Sequence, residues 1–152
     1  MRVAMCAALA VALIAAAAQA QTPPIGKTVA EFGFTGRWAI DCTQPPSLEN
    51  AHRAIWTDDK GAVRFKDAFG DKYFPLSYRV LAAKRIDNDL LELRVERTAQ
   101  GRQDQIQKLV LMAEGNRTRT VANSSPDGRI YVKDGYAMPG EQPTPWLNRC
   151  AP

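Results

Sequence analysis

From Thr35 onward, apolar and polar positions alternate in short segments separated by turn residues, the period of antiparallel strands with one buried face. In Gly36-Arg37-Trp38-Ala39-Ile40-Asp41, Trp38 and Ile40 fall on one face. Arg53 to Thr57 and Ala62 to Asp67 flank Asp58-Asp59-Lys60-Gly61, a hairpin loop in which Gly61 takes the left-handed conformation. Leu76 to Ile86, Leu90 to Thr98, Gln103 to Ala113, Arg117 to Asn123 and Arg129 to Lys133 follow, joined by short connections of turn-forming residues. Connections this short pair sequence neighbours in space. The strands number about eight, the count at which a twisted antiparallel sheet commonly closes on itself.

The pattern predicts an all-β fold: an up-and-down meander closing into a calycin-like barrel, with a sandwich as the other arrangement. One short helical turn is expected in Pro45-Pro46-Ser47-Leu48-Glu49-Asn50, where Ser47 can cap it. The inward set is Trp38, Ile40, Ile55, Val63, Phe65, Tyr78, Val80, Leu91, Leu93, Val95, Val110, Met112, Ile130 and Val132. The tail after Gly135, with Pro139, Pro143, Pro145 and Pro152, is expected to be irregular and to run back across the barrel without forming a central strand.

The N-terminus reads differently. Met1-Arg2, an uncharged run from Val3 to Ala18, and Ala18-Gln19-Ala20 have the layout of a cleavable secretory signal over residues 1–20. The run is shorter than a membrane span needs and no second one follows, so no membrane span is expected. Residues 21–31 lack periodicity and read as a flexible lead-in, and 32–152 as a single barrel domain. This organisation puts the protein in the periplasm or outside the cell.

Composition narrows the function classes. Of 152 residues, 20 are Lys or Arg and 16 are Asp or Glu. With Arg2 removed the balance is mildly basic, without a dense basic run, so no nucleic-acid partner is expected. Removal of the signal discards Cys6 and leaves Cys42 and Cys150. In an oxidising compartment such a pair usually bridges, two free thiols or a bridge to another chain being the alternatives. His52 is the sole histidine, too few ligands for a zinc or copper site, and no metal or cofactor is expected. No serine sits in a Gly-x-Ser-x-Gly elbow. Glu92 and Glu96 flank Arg94 on one strand face and read as a mixed-charge outer surface. The chain is therefore expected to bind, not to catalyse.

Gly36-Arg37-Trp38 at the first strand, after a secretion signal and ahead of a β-meander, resembles the opening of lipocalins and other calycins. The resemblance implies that Trp38 closes one barrel end under a basic side chain from near the last strand, Arg129 or Lys133 here. A closed sheet with an apolar, aromatic interior and no reactive group makes a small apolar ligand in the barrel mouth the leading expectation, with Trp38, Phe65, Tyr78 and Met112 as contacts. The outline is similar as well to secreted bacterial inhibitors of metalloproteases, in which Gln21 to Ala30 would serve as an inhibitory trunk; those proteins carry a more local disulfide. The second reading is therefore an extracytoplasmic protein partner, as in inhibition of a protease or lysozyme, with Trp56, Arg117, Arg119 and Tyr131 as the interaction surface. A structural envelope protein is the third.

Overall fold

The computed structural model describes residues 24–98 and 105–151. The signal assigned to residues 1–20 lies outside them. The strands are β1 (Gly36–Ala39), β2 (His52–Thr57), β3 (Val63–Ala68), β4 (Leu76–Arg85), β5 (Leu90–Thr98), β6 (Gln105–Glu114), β7 (Arg117–Ser124), β8 (Ile130–Lys133), β9 (Tyr136–Ala137), β10 (Gln142–Pro143) and β11 (Leu147–Arg149). All pairings are antiparallel. β1 to β6 form a meander, β6 pairs with β7, and β11 lies between β7 and β1, closing an eight-stranded barrel.

Two features of the sheet correct the sequence reading. The closing strand is the tail, not Arg129 to Lys133. Leu147–Arg149 is free of proline, so it can pair on both sides, with Thr118 and Arg117 of β7 and with Trp38 and Ala39 of β1. On its barrel side β8 instead meets only Asn123 and Ser124, across a register shift at the end of β7. It continues through an Asp134-Gly135 turn, both residues at positive φ as a type I′ hairpin requires, into a small flap of β9 and β10 outside the barrel. Ile130 is accordingly exposed and Val132 only half-buried.

The second correction concerns β6. From Leu109 to Ala113 every residue is apolar, so alternation alone does not set the phase. Directly opposed residues share a face, and β5 points Leu91, Leu93 and Val95 inward. Their partners Leu111, Leu109 and Gln107 therefore face the core, while Val110 and Met112 turn outward. A polar side chain, Gln107, is drawn inside by this register.

The segment read as flexible is in part a helix, α1 (Ile25–Glu31), and it is the chain's one helix among the described residues. It ends in a Schellman turn: Gly33, at φ 81°, donates its N–H to Ala30 and Phe34 donates to Val29. Val29 and Phe34 are buried and pack with Trp38, Val63, Val80, Leu91 and Leu111 as the plug of one barrel end. The expected turn at Ser47 is not helical. There Ser47 Oγ accepts N–H bonds from Glu49 and Asn50, while the Asn50 amide bonds to Asp41, Gln44 and Pro45 carbonyls and knits the loop.

Cys42 and Cys150 are joined as a disulfide, 108 positions apart in sequence. Among the described residues no helix is long and apolar enough to cross a membrane.

The phase of β6 has a direct consequence. Leu111→Ala is expected to destabilise by about 2–5 kcal/mol and Met112→Ala by under about 1 kcal/mol in urea unfolding; equal losses would mean the phase is wrong.

Candidate functional site

The end of the barrel opposite α1 is polar. Strand alternation brings Arg53 of β2, Asp67 of β3, Tyr78 of β4, Arg97 of β5, Gln107 of β6 and Asn123 of β7 to its inner face, above the apolar layers. Arg53 and Asp67 sit directly opposite one another and pair in a fork, Nε to Oδ1 at 2.7 Å and Nη2 to Oδ2 at 2.8 Å, both side chains nearly sealed from water. Burial opposes the Arg53 charge, but attraction to Asp67 and the hydrogen bonds between them outweigh it, holding the guanidinium above its usual range. The Phe65 ring lies beneath, 5.3 Å from the Arg53 guanidinium carbon and stacked on Tyr78 at 4.1 Å. Burial, then the Asp67 charge, push the Tyr78 hydroxyl up to about 12, against the opposing effect of Arg53 and Arg97. At neutral pH it is a neutral donor.

A cavity of about 200 Å³ opens beside the ion pair, walled by Ala51, Arg53, Asp67, Tyr78, Leu109, Arg119, Asn123 and Leu147. Thr144 and Pro145, leading into the closing strand, also line it, and Thr144 Oγ1 donates to the Thr120 carbonyl at 2.6 Å. Asn123 Nδ2 donates to Gln107 Oε1 at 3.3 Å. Among the described residues four buried atoms have no partner: Gln107 Nε2 and Asn123 Oδ1 on the adjoining amides, Arg97 Nε, and Arg119 Nε on β7 opposite outward-facing Met112. Gln107 is only 1% exposed. Leaving such a group unmatched costs about 1–3 kcal/mol, so the adjoining amides of Gln107 and Asn123 leave room for a further polar partner at this end.

Of the four residues read as ligand contacts, only Tyr78 lines this cavity. Phe65 lies under it, Met112 is on the outer face, and Trp38 belongs to the other end. There the Trp38 indole donates to the Phe34 carbonyl at 3.0 Å, and a guanidinium covers its ring at 4.7 Å. The covering residue is Arg149 of β11, not Arg129 or Lys133, and it also donates to the Gly33 and Thr35 carbonyls. Gln107, Arg97 and Asn123 escaped the sequence reading. Pairing β5 with β6 across their hairpin would have placed Gln107 opposite Val95 and so inside.

The proposed interaction residues do not form one surface. Trp56 is exposed on the outer face of β2, beside Arg64, Arg79 and Glu96 around a depression of about 460 Å³. Arg117 and Arg119 stand on β7, their guanidinium carbons 4.3 and 4.8 Å from the Trp146 ring centre. Tyr131 is half-buried in the flap. The depression by Trp56 is larger than the inner cavity, yet its charges are already matched, Arg79 to Glu96 and Arg64 to Asp58. Glu92 likewise pairs with Lys108. His52 Nε2 lies 3.0 Å from the Gln44 carbonyl and serves the loop. Comparison with protein-family models, curated proteins and solved structures finds no match.

Removing one member of the buried ion pair, as in Asp67→Ala, is expected to cost about 3–5 kcal/mol in urea unfolding, and the double change Arg53→Met with Asp67→Leu to recover most of it. A loss below 1 kcal/mol (about one-fifth of the full range) would show that water reaches the pair. Tyr78 gives a pH signature. Its folded pKa lies above the unfolded value near 10, so its contribution is complete below pH 10 and is lost as pH rises towards 12. Between pH 9 and 11 the protein is expected to lose on the order of 1 kcal/mol more than Tyr78→Phe; parallel profiles would contradict the burial of the hydroxyl.

Proposed function

We propose that this chain is an exported, calycin-like binding module that holds a small molecule in the cavity between Tyr78, Asn123 and Leu147 and performs no chemistry on it. The observation that carries this reading is the cavity itself: unmatched polar atoms sit beside apolar wall residues at one end of a barrel that is otherwise filled. A cavity of about 200 Å³ has room for six or seven waters at about 30 Å³ each. That is below the roughly 300 Å³ at which pockets for drug-sized ligands begin, so the apolar ligand first expected is narrowed to a small molecule with an apolar part against Leu109 and Leu147 and a polar group towards Tyr78 and Asn123. The Trp38 and Arg149 contact and the helix over that end support the calycin-like reading. The disulfide is compatible with a place outside the cytoplasm.

A protein partner is the second reading, favoured by exposed Leu48, Tyr73 and Phe74 on the two loops that rim the same end. The inhibitory trunk has less support, because Ile25–Glu31 is committed to plugging the barrel.

Native mass spectrometry of protein purified from its own compartment separates the readings. A small adduct on the intact fold, lost in Ala51→Phe, which places a ring in the cavity, is expected. A stoichiometric protein complex that Ala51→Phe leaves intact and Phe74→Ser abolishes would replace it with the second reading.

A further inference from the structure

The outer wall of the barrel carries an arrangement of its own, on the sheet face turned away from the cavity. Register places Trp56, Arg64, Arg79 and Glu96 in one row across β2, β3, β4 and β5, each directly opposite the next. Ser77 stands opposite Thr98 in the neighbouring row of the same face. All six line the outer depression of about 460 Å³, a size within the roughly 300–1,000 Å³ of small-molecule sites. Because strands carry them, the ladder fixes their spacing.

The row sets Arg64 directly against Arg79, a like-charge pairing that costs stability unless each charge is compensated. Each is. Arg64 Nε donates to Asp58 Oδ2 at 2.6 Å, and Arg79 Nε donates to Glu96 Oε2 at 3.0 Å with Nη2 2.9 Å from the same oxygen. Exposed ion pairs of this kind add little stability, but they hold both guanidinium groups and the Glu96 carboxylate in place and cancel their charge. Lys66, though opposite Ser77, lines a separate depression with Tyr73 and Phe74. A charged ligand at the row would have to displace one of these partners, whereas a neutral one leaves both pairs intact.

Hydrogen-bonding capacity remains after the pairs have formed. Both Arg79 contacts go to Oε2, and among the described residues Glu96 Oε1 and the hydroxyls of Ser77 and Thr98 take part in no hydrogen bond. A hydroxyl both donates and accepts, a carboxylate oxygen accepts, and the remaining guanidinium N–H groups donate. Beside them stands the indole of Trp56, 39% exposed, a large apolar surface. A neutral sugar ring matches this combination, with hydroxyls round its edge that donate and accept and a patch of C–H bonds on its face that packs against an aromatic ring.

We propose that this depression is a binding site, separate from the cavity inside the barrel, for a neutral saccharide: one sugar ring packs on Trp56 while its hydroxyls bond to Glu96, Ser77 and Thr98 and to the free N–H groups of Arg64 and Arg79. The test is an NMR titration of the purified protein with neutral trisaccharides of glucose, mannose, galactose and N-acetylglucosamine, with a trisaccharide of galacturonic acid, and with inorganic phosphate. The Trp56 indole N–H and the Ser77 and Thr98 amides are the reporters. At least one neutral trisaccharide is expected to shift all three, with the same affinity at low and at high salt. Trp56→Ala is expected to weaken it by about tenfold or more and to leave the urea midpoint close to that of the parent. Thr98→Val, which keeps the shape and loses the hydroxyl, is expected to weaken it several-fold, whereas Lys84→Gln elsewhere on the outer face and Ala51→Phe in the inner cavity change nothing. Binding of the galacturonate or phosphate alone, lost at high salt, overturns the neutral saccharide. Binding that Trp56→Ala and Thr98→Val both leave unchanged overturns the site, as does the absence of a shift with every probe.

Discussion

The structure depends on one small strand being held in place. Leu147–Arg149 joins β7 to β1, and the contact that fixes it is Arg149, whose guanidinium covers Trp38 and bonds to the Gly33 and Thr35 carbonyls. A single side chain thereby connects the closing strand, the first strand and the exit of the plugging helix. One residue further on, Cys150 is bonded to Cys42. In the chain-entropy account a bridge over a loop of this length is worth about 4–5 kcal/mol, which offsets the cost of bringing the two chain ends together. Without closure β1 and β7 would present bare edges, which proteins avoid because exposed edges pair with other chains.

Closure also makes the cavity. Thr144, Pro145 and Leu147 are wall residues, and Thr144 is tied to Thr120 and Gly135. The barrel is therefore divided by chemistry. Its helix end is filled by Val29, Phe34, Trp38 and the leucines of β5 and β6, which supply burial. Its other end holds the fork of Arg53 and Asp67 and a set of amide and guanidinium groups, which add little net stability. A fold whose core is already complete can carry such groups at one end, and their unmatched atoms distinguish this end from a packed interior.

The barrel was legible because its hairpins announce themselves. Asp58 to Gly61 and Glu114 to Asn116 are short and rich in turn formers, and most strand spans lie within a residue or two of those read from alternation. Alternation failed where it carried no information: the all-apolar run Leu109 to Ala113 fits either phase, and only the partner strand decides. The helix was missed because Ile25–Glu31 spans under two turns, too few for a period to show, although Phe32-Gly33-Phe34 has the glycine of a helix exit. Proline count in the tail hid the three proline-free residues that close the sheet. The site was the least legible part. Its residues come singly from six strands, each reading as an ordinary polar position, and register and barrel tilt alone bring them together.

The claim from which the rest follows is that the tail is an integral barrel strand. Native-state hydrogen exchange at two amides tests it most directly: Arg149 N–H, which donates to the Asn116 carbonyl, and Cys150 N–H, which donates to Arg37. The expected result is protection close to that of the β5 amides, lost only when the whole barrel opens. Exchange as fast as in the exposed loop at Asp71 to Phe74 would show that the tail merely lies against the barrel, and neither the closure nor the cavity would stand.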